Sequence, residues 1–202
     1  MANQTGIIIL AAGSSSRMGQ PKQLLELEGQ NLLQRTIQTS QKVKNTEIVL
    51  VLGANKDKIL SEISNINISI AFNEEWETGM ASSIRKGLQK ILEINSSLKA
   101  VIILLCDQPF LSSDLINQLI ETHIEYPHKM IASEYNQSLG VPVLFPKNYF
   151  SELLTLQGQA GAKKIIQKNQ KEVIAVPFPK GNIDIDTPED YEKLIHPHKN
   201  IS

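Results

Sequence analysis

Residues 10–22 read Leu-Ala-Ala-Gly-Ser-Ser-Ser-Arg-Met-Gly-Gln-Pro-Lys. Small side chains let backbone amides turn inward around an anion, and Gly13 and Gly19 allow the backbone angles this needs. Arg17 and Lys22 add positive charge where a polyphosphate would lie. Such a segment suits triphosphate binding; the plainer alternative is a flexible Gly/Ser turn with two solvated cations. It is not a Walker loop, because Lys22 is followed by Gln23 and the Gly13 to Gly19 spacing is wrong. Nor is it a dinucleotide fingerprint, since G-x-G-x-x-G does not occur. As an exposed cation, Lys22 is expected to matter more for phosphate binding than for folding.

Asp107 follows the apolar run 101–105 and precedes Gln108-Pro109. A carboxylate at the carboxyl end of a strand faces the ligand crevice of an open α/β sheet, and Mg²⁺ takes one or two carboxylates with phosphate oxygens and waters. Asp107 is therefore either a metal ligand or a turn-forming aspartate before proline. Cys106, one residue inward, reads as a buried strand thiol rather than a nucleophile. Asp184 and Asp186 alternate around Ile185, so an extended chain points both acids to one face, where they repel unless a cation joins them. Thr187-Pro188-Glu189 has the form of a helix start, so part of this string is capping chemistry. Residues 79–87 can open a helix whose first amides meet an anion, with Ser82 and Ser83 adding hydroxyls; a plain capped amphipathic helix looks the same. His123 and His128 fall near a helix end, where solvated histidine is ordinary, and His196 and His198 fall in a polar tail. None is assigned a catalytic role.

These residues need a scaffold to bring them together. Strand-length aliphatic runs recur at 6–12, 47–52, 68–72, 100–105, 130–133, 141–145 and 173–176. They are apolar on both faces, as the strands of a helix-covered parallel sheet must be. Helical stripes lie between them: Leu32, Leu33, Ile37 and Val43; Ile59, Leu60 and Ile63; Ile84, Leu88, Ile91 and Leu92. A further helix through Leu115, Ile116, Leu119 and Ile120 is capped by Ser112 or Ser113. Strand alternating with helix predicts an α/β fold: a Rossmann-like, doubly wound, mostly parallel sheet with helices on both faces. A length of 202 residues with 41% hydrophobic content suits one domain, taken as 1–195, with a frayed tail at 196–202. The net charge of -1 lacks the basic excess of a nucleic-acid binder. A single cysteine excludes an intramolecular disulfide framework and fits a reducing compartment. With no charged leader and no run of roughly 20 apolar residues, the expectation is a cytoplasmic protein without membrane association.

The string from Leu10 to Lys22 resembles the signature L-A-A-G-x-S-x-R-M-G-x-P-K of the MobA-like nucleotidyltransferase family, and within it the molybdenum cofactor cytidylyltransferase branch. Four further segments match in the same order. They are Gly79-Met80-Ala81-Ser82-Ser83-Ile84-Arg85-x-Gly87-Leu88, Cys106-Asp107-Gln108-Pro109, Gly140-Val141-Pro142-Val143-Leu144-Phe145 and Asp184-Ile185-Asp186-Thr187-Pro188-Glu189-Asp190. The resemblance spans nearly the whole chain.

The resemblance implies transfer of a nucleoside monophosphate from a triphosphate onto a phosphate-bearing acceptor, with pyrophosphate leaving. It gives catalytic roles to Arg17, Lys22 and Asp107. It implies nucleotide binding by Leu10, Ala11, Ala12, Gly13, Arg17, Lys22, Gly79, Ser82, Ser83 and Asp107, and Mg²⁺ binding by Asp107 and Asp186. Ala12 stands where guanylyl-transferring relatives tend to carry glycine, which points to CTP. The acceptor side would involve Gln108, Pro109, Gly140, Gly158, Gly161, Lys163 and Asp184. There Gly158-Gln159-Ala160-Gly161-Ala162-Lys163 resembles a segment that usually reads Gly-Asp-x-Gly-Ala-Arg or Lys, with Gln159 replacing the acid. The implied substrates are CTP and a molybdopterin-type cofactor, and the implied protein partner is a molybdoenzyme or its maturation chaperone. Rival readings are a nucleotidyltransferase acting on a sugar or polyol phosphate and a non-catalytic accessory protein that carries the molybdenum cofactor. A dinucleotide-binding oxidoreductase is disfavoured by the missing fingerprint.

Overall fold

Aliphatic runs that must lose water on both faces become the centre of the molecule. The computed structural model describes residues 4–63 and 67–196, so the predicted tail beyond His196, with His198, lies outside the described residues. In chain order the elements are β1 (Thr5–Ala11), β2 (Glu26–Leu27), β3 (Gln30–Asn31), α1 (Leu32–Gln41), β4 (Thr46–Leu52), α2 (Lys56–Glu62), β5 (Ser69–Phe72) and α3 (Met80–Ile94). They continue with β6 (Ala100–Leu105), α4 (Ser113–Glu125), β7 (Met130–Tyr135), β8 (Ser138–Pro146), α5 (Phe150–Leu154), α6 (Ala162–Lys168), β9 (Val173–Pro177) and α7 (Pro188–Ile195).

Seven strands form one sheet in the order β5-β4-β1-β6-β8-β7-β9, while β2 and β3 make a separate small hairpin. Strands β5, β4, β1 and β6 run parallel, β8 runs antiparallel between β6 and β7, and β9 lies parallel to β7. The predicted, mostly parallel doubly wound sheet is therefore what forms. The period-2 alternation of side chains divides the core. Ile8, Val49, Val101, Ile103 and Phe145 pack with Ile84, Leu88 and Ile91 of α3 and with Leu153 and Ile165 of α5 and α6. Ile7, Ile9, Leu50, Ile102 and Leu144 pack with Leu33 and Ile37 of α1, Ile59 of α2 and Ile116 and Leu119 of α4.

Caps follow the expected chemistry. Ser112 Oγ accepts from the Leu115 amide at 3.2 Å to start α4. Thr187 and Asp190 form a reciprocal capping box with Pro188 at the first turn of α7. A third apolar cluster joins Met18, Leu25 and Leu32 to Ile185, with Tyr191 and Leu194 of α7 against it. This cluster carries the C-terminal segment back onto the loop after β1.

Candidate active site

Strand β1 sends the chain to β4 on one side, and β6 arrives on its other side, so the sheet reverses direction of growth between β1 and β6. Ligands of open α/β sheets bind at the carboxyl ends of strands at such a point. A cleft of about 390 Å³ opens there, lined by Leu10, Ala11, Ala12, Gly13, Ser14, Lys22 and Gln23 on the β1 side. Leu105, Cys106 and Asp107 line it from β6, and Trp76, Gly79, Met80, Ser83 and Gln159 close the far wall.

The charged centre is built around Lys22. Its Nζ donates to Asp107 Oδ2 at 2.5 Å and to Asp186 Oδ1 at 2.9 Å. Its side chain is only 19% exposed, so the expectation of an exposed cation is corrected: Lys22 is mostly enclosed and paired with two carboxylates. Burial alone would lower the Lys22 pKa. The Asp107 charge and the hydrogen bonds to Asp107 and Asp186 outweigh burial and hold it above the usual lysine range. Arg17 Nη1 lies 4.0 Å from Asp186 Oδ2 and is largely in solvent.

Ile185, buried between the two aspartates, donates its amide to the Asp107 carbonyl at 3.3 Å, which brings the Asp184–Asp186 string against the end of β6. Asp184 keeps solvent access, yet its carboxyl is pushed up to about 6, first by desolvation and then by the charges of Asp107 and Asp186. Oδ1 of Asp107 is buried with no hydrogen-bond partner among the described residues. A buried, unpartnered carboxylate oxygen beside a second carboxylate suits a hard divalent cation. Among the described residues no group of three or more His, Cys, Asp or Glu converges to hold a metal. Two carboxylates completed by phosphate oxygens are the arrangement Mg²⁺ prefers.

Sequence reasoning passed over Gln23. Its side chain is 1% exposed, and its Nε2 donates to the carbonyls of Ala11 at 3.0 Å and Gly13 at 3.1 Å. Its Oε1 accepts from Ser15 Oγ at 3.2 Å, and that oxygen accepts from the Lys22 amide at 3.1 Å. The glutamine thus ties the end of β1, the loop and Lys22 together; one residue past the signature string, it carries no mark of this role. Trp76, the chain's one tryptophan, was also passed over. A Cβ on Gly53 would meet Trp76 and the Ala12 carbonyl, so glycine there lets the indole approach the loop. A lone tryptophan three residues before the Gly79 segment was the available signal.

The expected anion site at the start of α3 is changed in detail. The Ala81 amide donates to the Gly158 carbonyl at 3.2 Å and the Ser82 amide to the Gly79 carbonyl at 3.2 Å. Ser82 Oγ donates to the Gly79 carbonyl and accepts from Asn73 Nδ2, both at 2.8 Å, and it does not line the cleft, whereas Ser83 does. Gly79 has φ 115° and lies where a Cβ would strike the Gly158 backbone. Residues 158–161 are therefore docked on α3, and Gln159 lines the same cleft as the loop after β1.

Of the acceptor-side residues, Gln108 Nε2 donates to the Val141 carbonyl at 3.1 Å and the Gly181 carbonyl at 3.0 Å, holding two loops together beside Asp107. Pro109 is buried behind it. Gly140 leaves room for the Tyr135 hydroxyl, Gly161 for Met80 Sδ, and Lys163 is exposed on α6.

His123, expected to be solvated, is buried on α4, and burial lowers its pKa. Cys106 is buried as expected. Desolvation first, and Asp107 next, push its thiol up to about 12. The folded protein therefore holds Cys106 as an enclosed, protonated thiol. Ellman's reagent should find almost no thiol in the folded protein and one equivalent after denaturation; fast labelling of the folded protein would contradict this.

Residues 7–173 match the MobA-like NTP transferase domain, a span that takes in the loop, Lys22, Trp76 and Asp107 and stops short of Asp186. Purine catabolism protein PucB of Bacillus subtilis is 30% identical over 198 residues, covering 93% of this chain and 94% of the relative. Nicotine blue oxidoreductase of Paenarthrobacter nicotinovorans is 27% identical, with 93% and 95% covered. The crystal structure of Rv0371c from Mycobacterium tuberculosis superposes with a TM-score of 0.84 at 26% identity, covering 97% of this chain and 99% of that one. A second structure of Rv0371c is a complex with manganese. The matched span runs through both halves of the cleft and most of the sheet, and on that ground the chain belongs to the MobA-like NTP transferase family, a family of nucleotidyltransferases.

Proposed function

We propose that this protein transfers CMP from metal-bound CTP to the terminal phosphate of a molybdopterin-type cofactor. The observation that carries the reading is Asp107, a residue that lines the same cleft as the loop after β1, with one carboxylate oxygen on Lys22 and the other buried and without a hydrogen-bond partner among the described residues. Asp107 and Asp186 would hold Mg²⁺, which supplies charge neutralisation and alignment of the triphosphate when bound. The manganese complex of Rv0371c supports a divalent metal in this fold. An oxygen of the acceptor phosphate attacks the α-phosphorus, the bond from that phosphorus to the bridging oxygen breaks, and pyrophosphate carries away the electron pair. A phosphate monoester has a second pKa near about 6, so the attacking oxygen is already ionised at neutral pH and no general base is required. This agrees with a cleft lining that contains no histidine. Lys22 and Arg17 would stabilise the leaving pyrophosphate, and the loop and Trp76 would seat the nucleoside.

Pyrophosphate release with each nucleoside triphosphate, with and without molybdenum-loaded molybdopterin, tests the reading. Sugar and polyol phosphates serve as rival acceptors. Binding of the molybdenum cofactor without CTP turnover would favour the accessory-protein alternative, and turnover with a sugar phosphate would replace the acceptor. CTP should be preferred over GTP, and Ala12→Gly should loosen the preference. Ala12 is buried in the cleft wall, and one methyl discriminates by roughly 1–3 kcal/mol. Equal use of CTP and GTP by the unmodified protein would remove the cytidylyl assignment.

A further inference from the structure

We infer that Gln23 is a positioning residue for nucleotide choice: it orients the peptide groups of the loop after β1 so that the loop offers donors, rather than acceptors, to the base. The inference rests on the nucleotide-binding reading above. Gln23 Nε2 engages the carbonyls of Ala11 and Gly13, and the Ala54 amide engages the Ala12 carbonyl at 3.0 Å. Three successive carbonyls of the cleft wall are thereby held by internal donors. A trans peptide points its C=O and the next N–H in opposite directions. With the Ala11 and Gly13 carbonyls turned toward a buried side chain, the amides of Ala12 and Ser14 are turned away from it. Both residues line the cleft.

The orientation of the Gln23 amide is determined by its surroundings. Its nitrogen meets two acceptors, and its oxygen meets the Ser15 hydroxyl, which itself accepts from the Lys22 amide. The reverse orientation would set the oxygen against two carbonyls. A wall that presents N–H groups matches the O2 and N3 acceptors of cytosine. Guanine can meet such a wall only through O6, N7 or N3, and its N1–H and exocyclic amine are donors that the wall leaves without partners. The same network links base choice to the backbone of Lys22, so the loop that reads the base also sets the lysine.

The test measures binding and so does not depend on the acceptor. Quenching of Trp76, the chain's single tryptophan, reports nucleotide entry into the cleft for the unmodified protein and for Gln23→Met and Gln23→Glu. Gln23→Met keeps the side-chain volume and removes the bonds, whereas Gln23→Glu sets an oxygen against both carbonyls. The ratio of CTP to GTP affinity should fall about tenfold or more in both variants, chiefly through loss of CTP affinity. Equal weakening of both nucleotides, or an unchanged ratio in folded variants, would overturn the inference while leaving the CTP preference of the unmodified protein in place. No CTP preference in the unmodified protein would instead overturn the nucleotide reading itself. Hydrogen exchange on the unmodified protein covers the case in which the variants fail to fold. Saturating CTP should slow exchange at the Ala12 and Ser14 amides, and unslowed exchange at both with CTP bound would refute the proposed wall.

Discussion

Asp107→Asn is expected to lower metal-dependent nucleotidyl transfer by about two to four orders of magnitude, equivalent to several kcal/mol of transition-state stabilisation. Asparagine has nearly the same shape but removes the charge that would hold the cation, and Oδ1 of Asp107 is a buried oxygen with no hydrogen-bond partner among the described residues. The variant should still fold. The Asp107 carbonyl that accepts from Ile185 is backbone, and Lys22 retains Asp186 at 2.9 Å. An amide oxygen at position 107 can also accept from Lys22, so the stability loss should stay below the roughly 1.5–3 kcal/mol of a full charge-assisted bond. Turnover against Mg²⁺ concentration and thermal unfolding of the same variant separate a metal ligand from a turn aspartate. Near-normal turnover at limiting Mg²⁺ would sink the metal assignment and the mechanism built on it.

Lys22→Met should cut kcat/KM for the triphosphate by about 10- to 150-fold, the equivalent of roughly 1.5–3 kcal/mol for a charge-assisted phosphate contact. Unlike a solvated loop lysine, it should also destabilise the fold, because Asp107 and Asp186 would share a mostly enclosed space with no cation between them. Mg²⁺ that binds those two carboxylates would offset the loss, so added Mg²⁺ should raise the Tm of the variant more than that of the unmodified protein. The Lys22 pKa is raised in the folded state above its ordinary 10.5. Its contribution to stability is therefore complete below that value and disappears only as pH climbs through the higher folded-state value. The stability gap between variant and unmodified protein should stay level from neutral pH to about pH 10. Unchanged triphosphate kinetics in a folded variant would place Lys22 outside the reaction.

Much of this site was legible before any tertiary structure. The strand runs are continuous aliphatic stretches because parallel strands covered on both faces have no solvated side to mark, and their ends therefore stood out against polar loops. Asp107 could be assigned to the ligand edge of the sheet because it directly follows such a run, and Thr187 to a helix start because capping is local chemistry within four residues. The small residues of the loop after β1 were legible by type as the wall of a ligand site, and Ala11 to Ser14 line the cleft.

Strand order, charge pairing and side-chain facing were decided only in three dimensions. An aliphatic run does not state its direction, so the antiparallel insertion of β8 between β6 and β7 had no local mark. Lys22 and Asp186 are 164 positions apart and meet because Met18, Leu25, Leu32 and Ile185 bury one another, a long-range apolar contact that neither charged residue specifies. Ser82 and Ser83 are adjacent and identical in type, yet the rotation of α3 over β1 and β4 gives one to Asn73 and its own turn and the other also to the cleft. Gln23 is polar and sits in a loop, which by composition reads as solvated. It is buried because the chain folds back over it and gives it two carbonyls and a hydroxyl as partners. Residue type and spacing determined which reactive and charged groups stand at the ends of the strands. Only the packing of distant segments decided which carboxylates face one lysine and which peptide groups face the cleft, because burial and electrostatic pairing act through space and the sequence records only order.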